Sequence, residues 1–195
     1  MSGIYIHIPF CKKACHYCDF HFSTSFKHKD QMINSLKHEI LIRNRELKHE
    51  KIESIYFGGG TPSVLNIIEI NSLIETVYDN YLVNDSVEIT LEANPDDLTD
   101  EKILELFNSK VNRLSIGVQS FFEKDLKLMN RSHTRNQAMN CIKSATKYFD
   151  NISVDLIYGI PGLDNSRWKE NIEILISHNI SHISAYALTV EPKTA

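Results

Sequence analysis

Residues that mark special classes of chain are scarce in this sequence. Among 195 residues there are seven glycines, five prolines, one tryptophan and four cysteines. With 42% hydrophobic, 24% charged and 9% aromatic residues, the composition is that of an average folded protein and argues against disorder, collagen-like repeats and coiled coil. No apolar run approaches the roughly 18–20 residues that cross a bilayer. The N-terminus also lacks the positively charged start and cleavage site of a signal peptide, so a cytoplasmic protein without a transmembrane segment is expected. Nor is there an excess of positive charge. Lys and Arg number 21 against 25 Asp and Glu, leaving a net charge of −4 with the signs interspersed, which gives no electrostatic footprint for nucleic acid. No low-complexity linker divides the chain, so residues 1–195 are read as one domain long enough to bury a real core.

Three of the four cysteines, Cys11, Cys15 and Cys18, crowd into one short segment, while Cys141 stands alone. Disulfide frameworks spread their cysteines along the chain, so the crowding points to a metal in a reducing compartment. Cys141 reads as a small buried hydrophobe.

Six short apolar segments rich in β-branched residues recur: Gly3–Ile8, Ser54–Phe57, Val87–Glu92, Arg113–Gly117, Ile152–Tyr158 and His182–Leu188. Between them lie stretches of helical period at Lys29–Leu47, Ile67–Tyr81, Asp100–Phe107, Glu123–Met129, Asn136–Phe149 and Ser166–His178. Asp97-Leu98-Thr99-Asp100, followed by the acids of Glu101–Glu105, has the form of a helix N-terminus. Strand and helix in alternation predict an α/β fold on a parallel sheet, either closing toward a barrel or opening into a doubly wound sheet. In both, ligands sit at the carboxyl ends of the strands. Those ends read Pro9-Phe10-Cys11, Gly58-Gly59-Gly60-Thr61-Pro62, Glu92-Ala93-Asn94-Pro95, Gly117-Val118-Gln119-Ser120, Gly159-Ile160-Pro161-Gly162 and Thr189-Val190-Glu191-Pro192. Nearly all carry glycine, proline or a polar group, as a ligand-facing rim requires.

The cysteine loop follows the first strand directly, with gaps of three and then two residues between its thiols. Its spacing admits two readings. A cuboidal iron–sulfur cluster normally takes four cysteines, and one held by three keeps an iron open to a ligand. A structural zinc site would complete the three cysteines with His16 or His21. Lys12 and Lys13, within the loop, would favour the thiolate forms and offset the charge of a ligated cluster.

The loop also resembles the cluster motif of the radical S-adenosylmethionine superfamily, and Gly58-Gly59-Gly60-Thr61-Pro62 strengthens the resemblance. More narrowly, Tyr5-Ile6-His7-Ile8-Pro9-Phe10-Cys11, Glu92-Ala93-Asn94-Pro95, Gly117-Val118-Gln119-Ser120-Phe121 and Asp155-Leu156-Ile157-Tyr158-Gly159-Ile160-Pro161-Gly162 resemble the oxygen-independent coproporphyrinogen III oxidase family. Its porphyrinogen-oxidising members have a further cysteine two positions after the third, where this chain has Phe20. Cys18-Asp19-Phe20 is similar instead to the HemW branch, described as haem chaperones. The resemblance implies an incomplete six-unit (β/α) barrel of the TIM type. It implies a four-iron four-sulfur cluster on Cys11, Cys15 and Cys18, S-adenosylmethionine beside it, and haem or another tetrapyrrole as the molecule handled. A haem-acceptor protein, a one-electron donor and a dimer are expectations of the same origin. Coproporphyrinogen III dehydrogenation is the alternative, and a zinc-stabilised binding module the second. Family members continue into a further C-terminal region, so this chain is expected to represent the N-terminal part.

Residue by residue, the resemblance implies that Gly60 and Thr61 meet the amino group of S-adenosylmethionine and that Tyr5 meets the cofactor from the first strand. Glu92 and Gln119 would bind its ribose hydroxyls or methionyl group. Arg131 would pair its carboxylate through two hydrogen bonds, and Thr189 would contact adenine through its backbone. Asp155 interrupts an apolar strand, where an unpaired charge is costly. It is expected to be either an interior acid near the cofactor or a structural group paired with an arginine or with backbone donors.

Overall fold

The computed structural model describes residues 2–47, 50–191 and 194; Pro192, from the last strand end, lies outside them. Among the described residues six strands are joined by α-helical connections, four of one helix and one of two. In chain order the elements are β1 (Ser2–Ile8), α1 (Lys29–Ile42), β2 (Ile52–Gly59), α2 (Ile67–Asn80), β3 (Val83–Ala93), α3 (Asp100–Phe107), β4 (Arg113–Gln119), α4 (Glu123–Leu128), α5 (Arg135–Ala145), β5 (Ile152–Tyr158), α6 (Asn165–Ser177) and β6 (His182–Ala187). All neighbouring strands pair in parallel, in the order β1-β2-β3-β4-β5-β6. A doubly wound sheet reverses its strand order at a switch point, whereas a barrel keeps chain order. The unbroken order therefore decides for the barrel type. Among the described residues β1 and β6 do not pair, so the barrel is incomplete.

Side chains alternate across each strand, and here the alternation separates two chemistries. Ile6, Ile8, Ile55, Phe57, Ile89, Leu91, Leu114, Ile116, Val154 and Leu156 join one buried cluster with Ile70, Leu73 and Ile74 of α2, Ile103 and Leu106 of α3, and Ile142 of α5. The other parity of the strands carries Tyr5, His7, Tyr56, Glu92, Ser115, Asp155 and Tyr186. A parallel sheet covered on both faces reads as continuous apolar runs. These strands instead turn a polar face inward, and that face with its carboxyl rim is where a ligand belongs.

Caps account for several helix starts. Asn66 and Thr134 each form a reciprocal capping box, with Glu69 and Gln137 respectively. Thr99 and Asp164 accept from the backbone N–H groups of Lys102 and Arg167. Two helices end earlier than periodicity predicts. α1 stops at Ile42, after which Asn44 and Glu46 donate to the carbonyls of Leu41 and Arg43, three residues back. α5 stops at Ala145, after which Lys147 and Tyr148 donate to Ser144 and Ala145, the tighter three-residue spacing that ends a helix.

A buried polar network fixes the link from β4 to α4. Asp125 is 1% exposed, pairs with Arg167 at 2.7 Å and accepts from the Ser120 hydroxyl at 2.8 Å. Asn171, fully buried, accepts from the Phe121 backbone N–H at 2.8 Å. The guanidinium of Arg167 lies 4.3 Å from the centre of the Phe122 ring. No helix among the described residues is long and apolar enough to cross a membrane.

Candidate metal and cofactor site

The loop that leaves β1 is held from several sides before any cofactor is considered. Cys11 donates its N–H to Ser23 at 3.0 Å, and Ser23 donates to Pro9 at 2.7 Å, so the loop is pinched at its base. His16 donates its backbone N–H to Met129, and Asn130 donates its side-chain amide to Ala14 at 2.7 Å, fastening the loop's middle to the segment after α4. Tyr17 packs on a small apolar cluster of Leu126, Met129, Ile157 and Ile160. These tethers place Cys11, Cys15 and Cys18, all partly buried, on the wall of one cavity of about 530 Å³.

The same cavity is lined by Gly60, Thr61, Glu92, Asn94, Gln119, Arg131, Asp155 and Thr189. Every cofactor contact expected from the sequence is therefore gathered here except Tyr5. That residue lies outside the lining, with its ring stacked on Tyr56 at 6.0 Å and covering Gly58. Gly60 is where backbone and sulfur come closest. A Cβ there would stand 2.9 Å from the Phe10 carbonyl oxygen and 3.0 Å from the Cys11 sulfur. Gln119 has a backbone φ of 69°, in the left-handed region, at a break in the register between β4 and β5. Such strain persists only where surroundings enforce it, and the Ser120–Asp125–Asn171 network directly follows.

Two side chains donate to the thiol sulfurs. The Thr61 hydroxyl reaches Cys11 at 3.3 Å and Arg131 Nη1 reaches Cys15 at 3.3 Å. Arg131 also gives Nη2 to Asn94 Oδ1 and to the Gly117 carbonyl, both at 2.6 Å, while its buried Nε has no partner. It is the cation that acts on the thiols. Lys12 does not take the part expected of it, because its ammonium pairs with Asp96 at 3.4 Å and with Asp97. Lys13 does line the cavity. Burial pushes the Cys11 and Cys18 thiols up from their usual range, and for Cys11 the Thr61 hydrogen bond opposes this.

Glu92 accepts from Tyr56 Oη at 2.8 Å and from the Gly59 N–H at 3.2 Å, yet burial still holds its carboxyl above the ordinary value. Asp155 has no ion pair among those the structure shows. Burial raises its pKa, while the Ser184 hydroxyl and then the charge of Arg131 pull it back. Sequence reading missed Tyr17, Tyr56 and the connecting role of Asn94, because each acts on a partner from another strand end.

Of the histidines proposed for zinc, His16 has its Nδ1 3.0 Å from the Leu128 carbonyl oxygen, and neither it nor His21 lines the cavity. Among the described residues no three His, Cys, Asp or Glu side chains draw close enough to hold a single metal ion.

Behind the site, His133 is 3% exposed. Its Nε2 lies 3.0 Å from the Val118 carbonyl oxygen and so donates to it, leaving Nδ1 unprotonated and without a partner. Burial, then the charge of Arg131, hold its pKa down at about 4 against an ordinary 6.5. Between these values the unfolded chain takes up a proton that the folded chain refuses, so stability rises with pH across the window and is lost on acidification, by about 3 kcal/mol. Urea unfolding of wild type and His133→Asn across this range is expected to show a flatter profile for the variant. Equal slopes would mean that His133 titrates normally. The raised carboxyls of Glu92 and Asp155 act in the opposite sense in both proteins and cancel in the difference.

Comparison with known proteins agrees with the geometry. Residues 5–175 match the Radical SAM superfamily. The chain is 38% identical over 197 residues to a protein of Buchnera aphidicola named "Heme chaperone HemW", spanning 98% of this chain and 52% of that one. It is 36% identical over 199 residues to the protein of the same name from Bacillus subtilis, spanning 100% and 52%. The chain thus spans about half the length of the curated relatives it matches. Among solved structures, coproporphyrinogen III oxidase (HemN) from Escherichia coli, described as a radical SAM enzyme, superimposes with a TM-score of 0.89 at 28% identity, covering 97% of this chain and 44% of that one.

Proposed function

The chain belongs to the radical SAM superfamily, and from that premise we propose that it binds a four-iron four-sulfur cluster and S-adenosylmethionine and serves haem handling of the HemW kind. The observation that carries the proposal is the single cavity that collects three thiols, two donors already aimed at sulfur, and the glycine-rich turn. The donor set fits the cluster. Soft thiolates suit iron–sulfur centres, and three of them leave a coordination position for a ligand. When bound, the cluster supplies single electrons to the sulfonium of S-adenosylmethionine.

The remaining tasks fall to the chain. Arg131 Nε, buried and unpartnered, is a free donor for the ligand's carboxylate. Gly60 admits the ligand to close backbone approach, and Thr61 offers its hydroxyl oxygen to the amino group. Glu92 and Gln119 face the ribose, and Thr189 offers backbone to adenine. Tyr5 acts through Tyr56, which holds Glu92 in place. Glu92 and Asp155 together give the cavity wall negative potential suited to a cationic sulfonium.

For the molecule handled, Phe20 supports the haem reading. It lines the cavity, is 69% exposed as a residue and offers no sulfur. With Phe22 and Tyr186 it gives the rim an aromatic surface on which a flat tetrapyrrole can lie. Titration tests this reading. The anaerobically reconstituted chain is expected to bind S-adenosylmethionine in equilibrium dialysis and to give a saturable Soret band with haemin, weakened by Phe20→Ala. Binding of S-adenosylmethionine with no haemin response would favour porphyrinogen chemistry of the HemN kind. Failure to bind either would contradict the proposal. A haem acceptor, a one-electron donor and a cytoplasmic setting belong to the same proposal.

A further inference from the structure

Asn94 has no assigned task, yet it joins the parts of this site. It follows the last residue of β3. Its Nδ2 donates to the Thr61 hydroxyl at 3.4 Å, and that hydroxyl donates onward to the Cys11 sulfur at 3.3 Å. Its Oδ1 accepts from Arg131 Nη2 at 2.6 Å, while Nη1 of the same guanidinium donates to the Cys15 sulfur at 3.3 Å. One carboxamide therefore connects two of the three thiols by an unbroken run of hydrogen bonds.

The run is anchored on the turn that Asn94 opens. Its backbone N–H donates to Ser63 Oγ at 3.1 Å, and Ser63 donates to Asp97 at 2.6 Å. Asp96 accepts from Ser132 at 2.7 Å, and Lys12 of the cysteine loop pairs with both acids. Residues 94–97 thus clamp the cysteine loop, the glycine-rich turn and the Arg131 segment to one another. An asparagine side chain suits the junction because it offers a donor and an acceptor on one planar group.

Hydrogen bonds to ligating sulfurs draw off charge and raise the reduction potential of the centre they hold. We propose that Asn94 is a positioning residue that fixes the Thr61 and Arg131 hydrogen bonds on Cys11 and Cys15 and thereby sets the reduction potential of the cluster. The inference rests on the cluster reading above. Without the carboxamide, the hydroxyl and guanidinium lose their orientation and the cluster becomes harder to reduce.

The test compares the full chain with its Asn94→Ala and Asn94→Asp variants after anaerobic reconstitution. Iron is counted, the midpoint potential is measured by redox titration followed by electron paramagnetic resonance, and pulsed resonance after exchange into deuterated water reports exchangeable protons near the reduced centre. Asn94→Ala is expected to keep the parent's iron content, to shift the midpoint to more negative potential and to lose exchangeable-proton coupling. Asn94→Asp keeps an acceptor for Arg131 and loses the donor to Thr61, so it retains part of that coupling. Where Asn94→Ala fails to fold, Asn94→Asp alone decides, by whether its coupling and midpoint move. An unchanged midpoint and coupling in a folded, iron-loaded variant would overturn the inference, as would loss of iron from both folded variants, which would make Asn94 a scaffold for assembly. A parent chain that takes up no iron would instead sink the cluster reading, and this inference with it.

Discussion

Serine in place of Cys11, Cys15 or Cys18 is expected to abolish cluster retention by the reconstituted chain, whereas serine in place of Cys141 leaves it intact. The contrast comes from where the structure puts the four sulfurs. The first three line one cavity, and two of them accept hydrogen bonds from Thr61 and Arg131. Cys141 is 2% exposed within α5, and burial pushes its thiol up to about 12, so it is inert as a ligand. A centre held by three thiolates has none to spare, and a hydroxyl is a harder, poorer donor for iron–sulfur chemistry. Iron and sulfide assays on the four variants read the result. Full iron in any of the three loop variants would contradict the assignment of that cysteine.

Asp125→Ala is expected to lower the unfolding free energy by about 3–5 kcal/mol, the range for removing one partner of a buried pair. Asp125 is 1% exposed, and its loss strips Arg167 of a 2.7 Å ion pair and Ser120 of an acceptor. The Arg167 side chain is 22% exposed and regains some hydration, which places the effect toward the lower end. Gln119 precedes this network in its left-handed conformation, so affinity for S-adenosylmethionine should fall along with stability. Urea denaturation provides the measurement. A change below about 1 kcal/mol would mean that the pair behaves as an exposed one.

Much of this was legible in the sequence because it is local. Strand–helix alternation, the Thr99 cap and the crowding of Cys11, Cys15 and Cys18 need only near neighbours to be seen. The rule that ligands sit at the carboxyl ends of parallel strands singled out the segments of Gly60, Glu92 and Gln119, and Asp155 stood out as a charge within an apolar strand. What stayed hidden depends on partners far apart in the chain. Lys12 looks like a cation for its own loop, yet it is drawn to Asp96 and Asp97, more than eighty residues away. Arg131 is singled out only by the resemblance, and its bonds to Cys15 and Asn94 appear only once the segment after α4 has folded against them. The end of α1 falls where Asn44 and Glu46 bond three residues back instead of four, a tightening that leaves no mark in the hydrophobic period.

The most direct test of the account is electron paramagnetic resonance of the anaerobically reconstituted, reduced chain, recorded before and after addition of S-adenosylmethionine and accompanied by iron analysis. The account predicts about four irons per chain and a signal that changes when S-adenosylmethionine occupies the open coordination position. Tightly bound zinc, no cluster and no spectral response would contradict it.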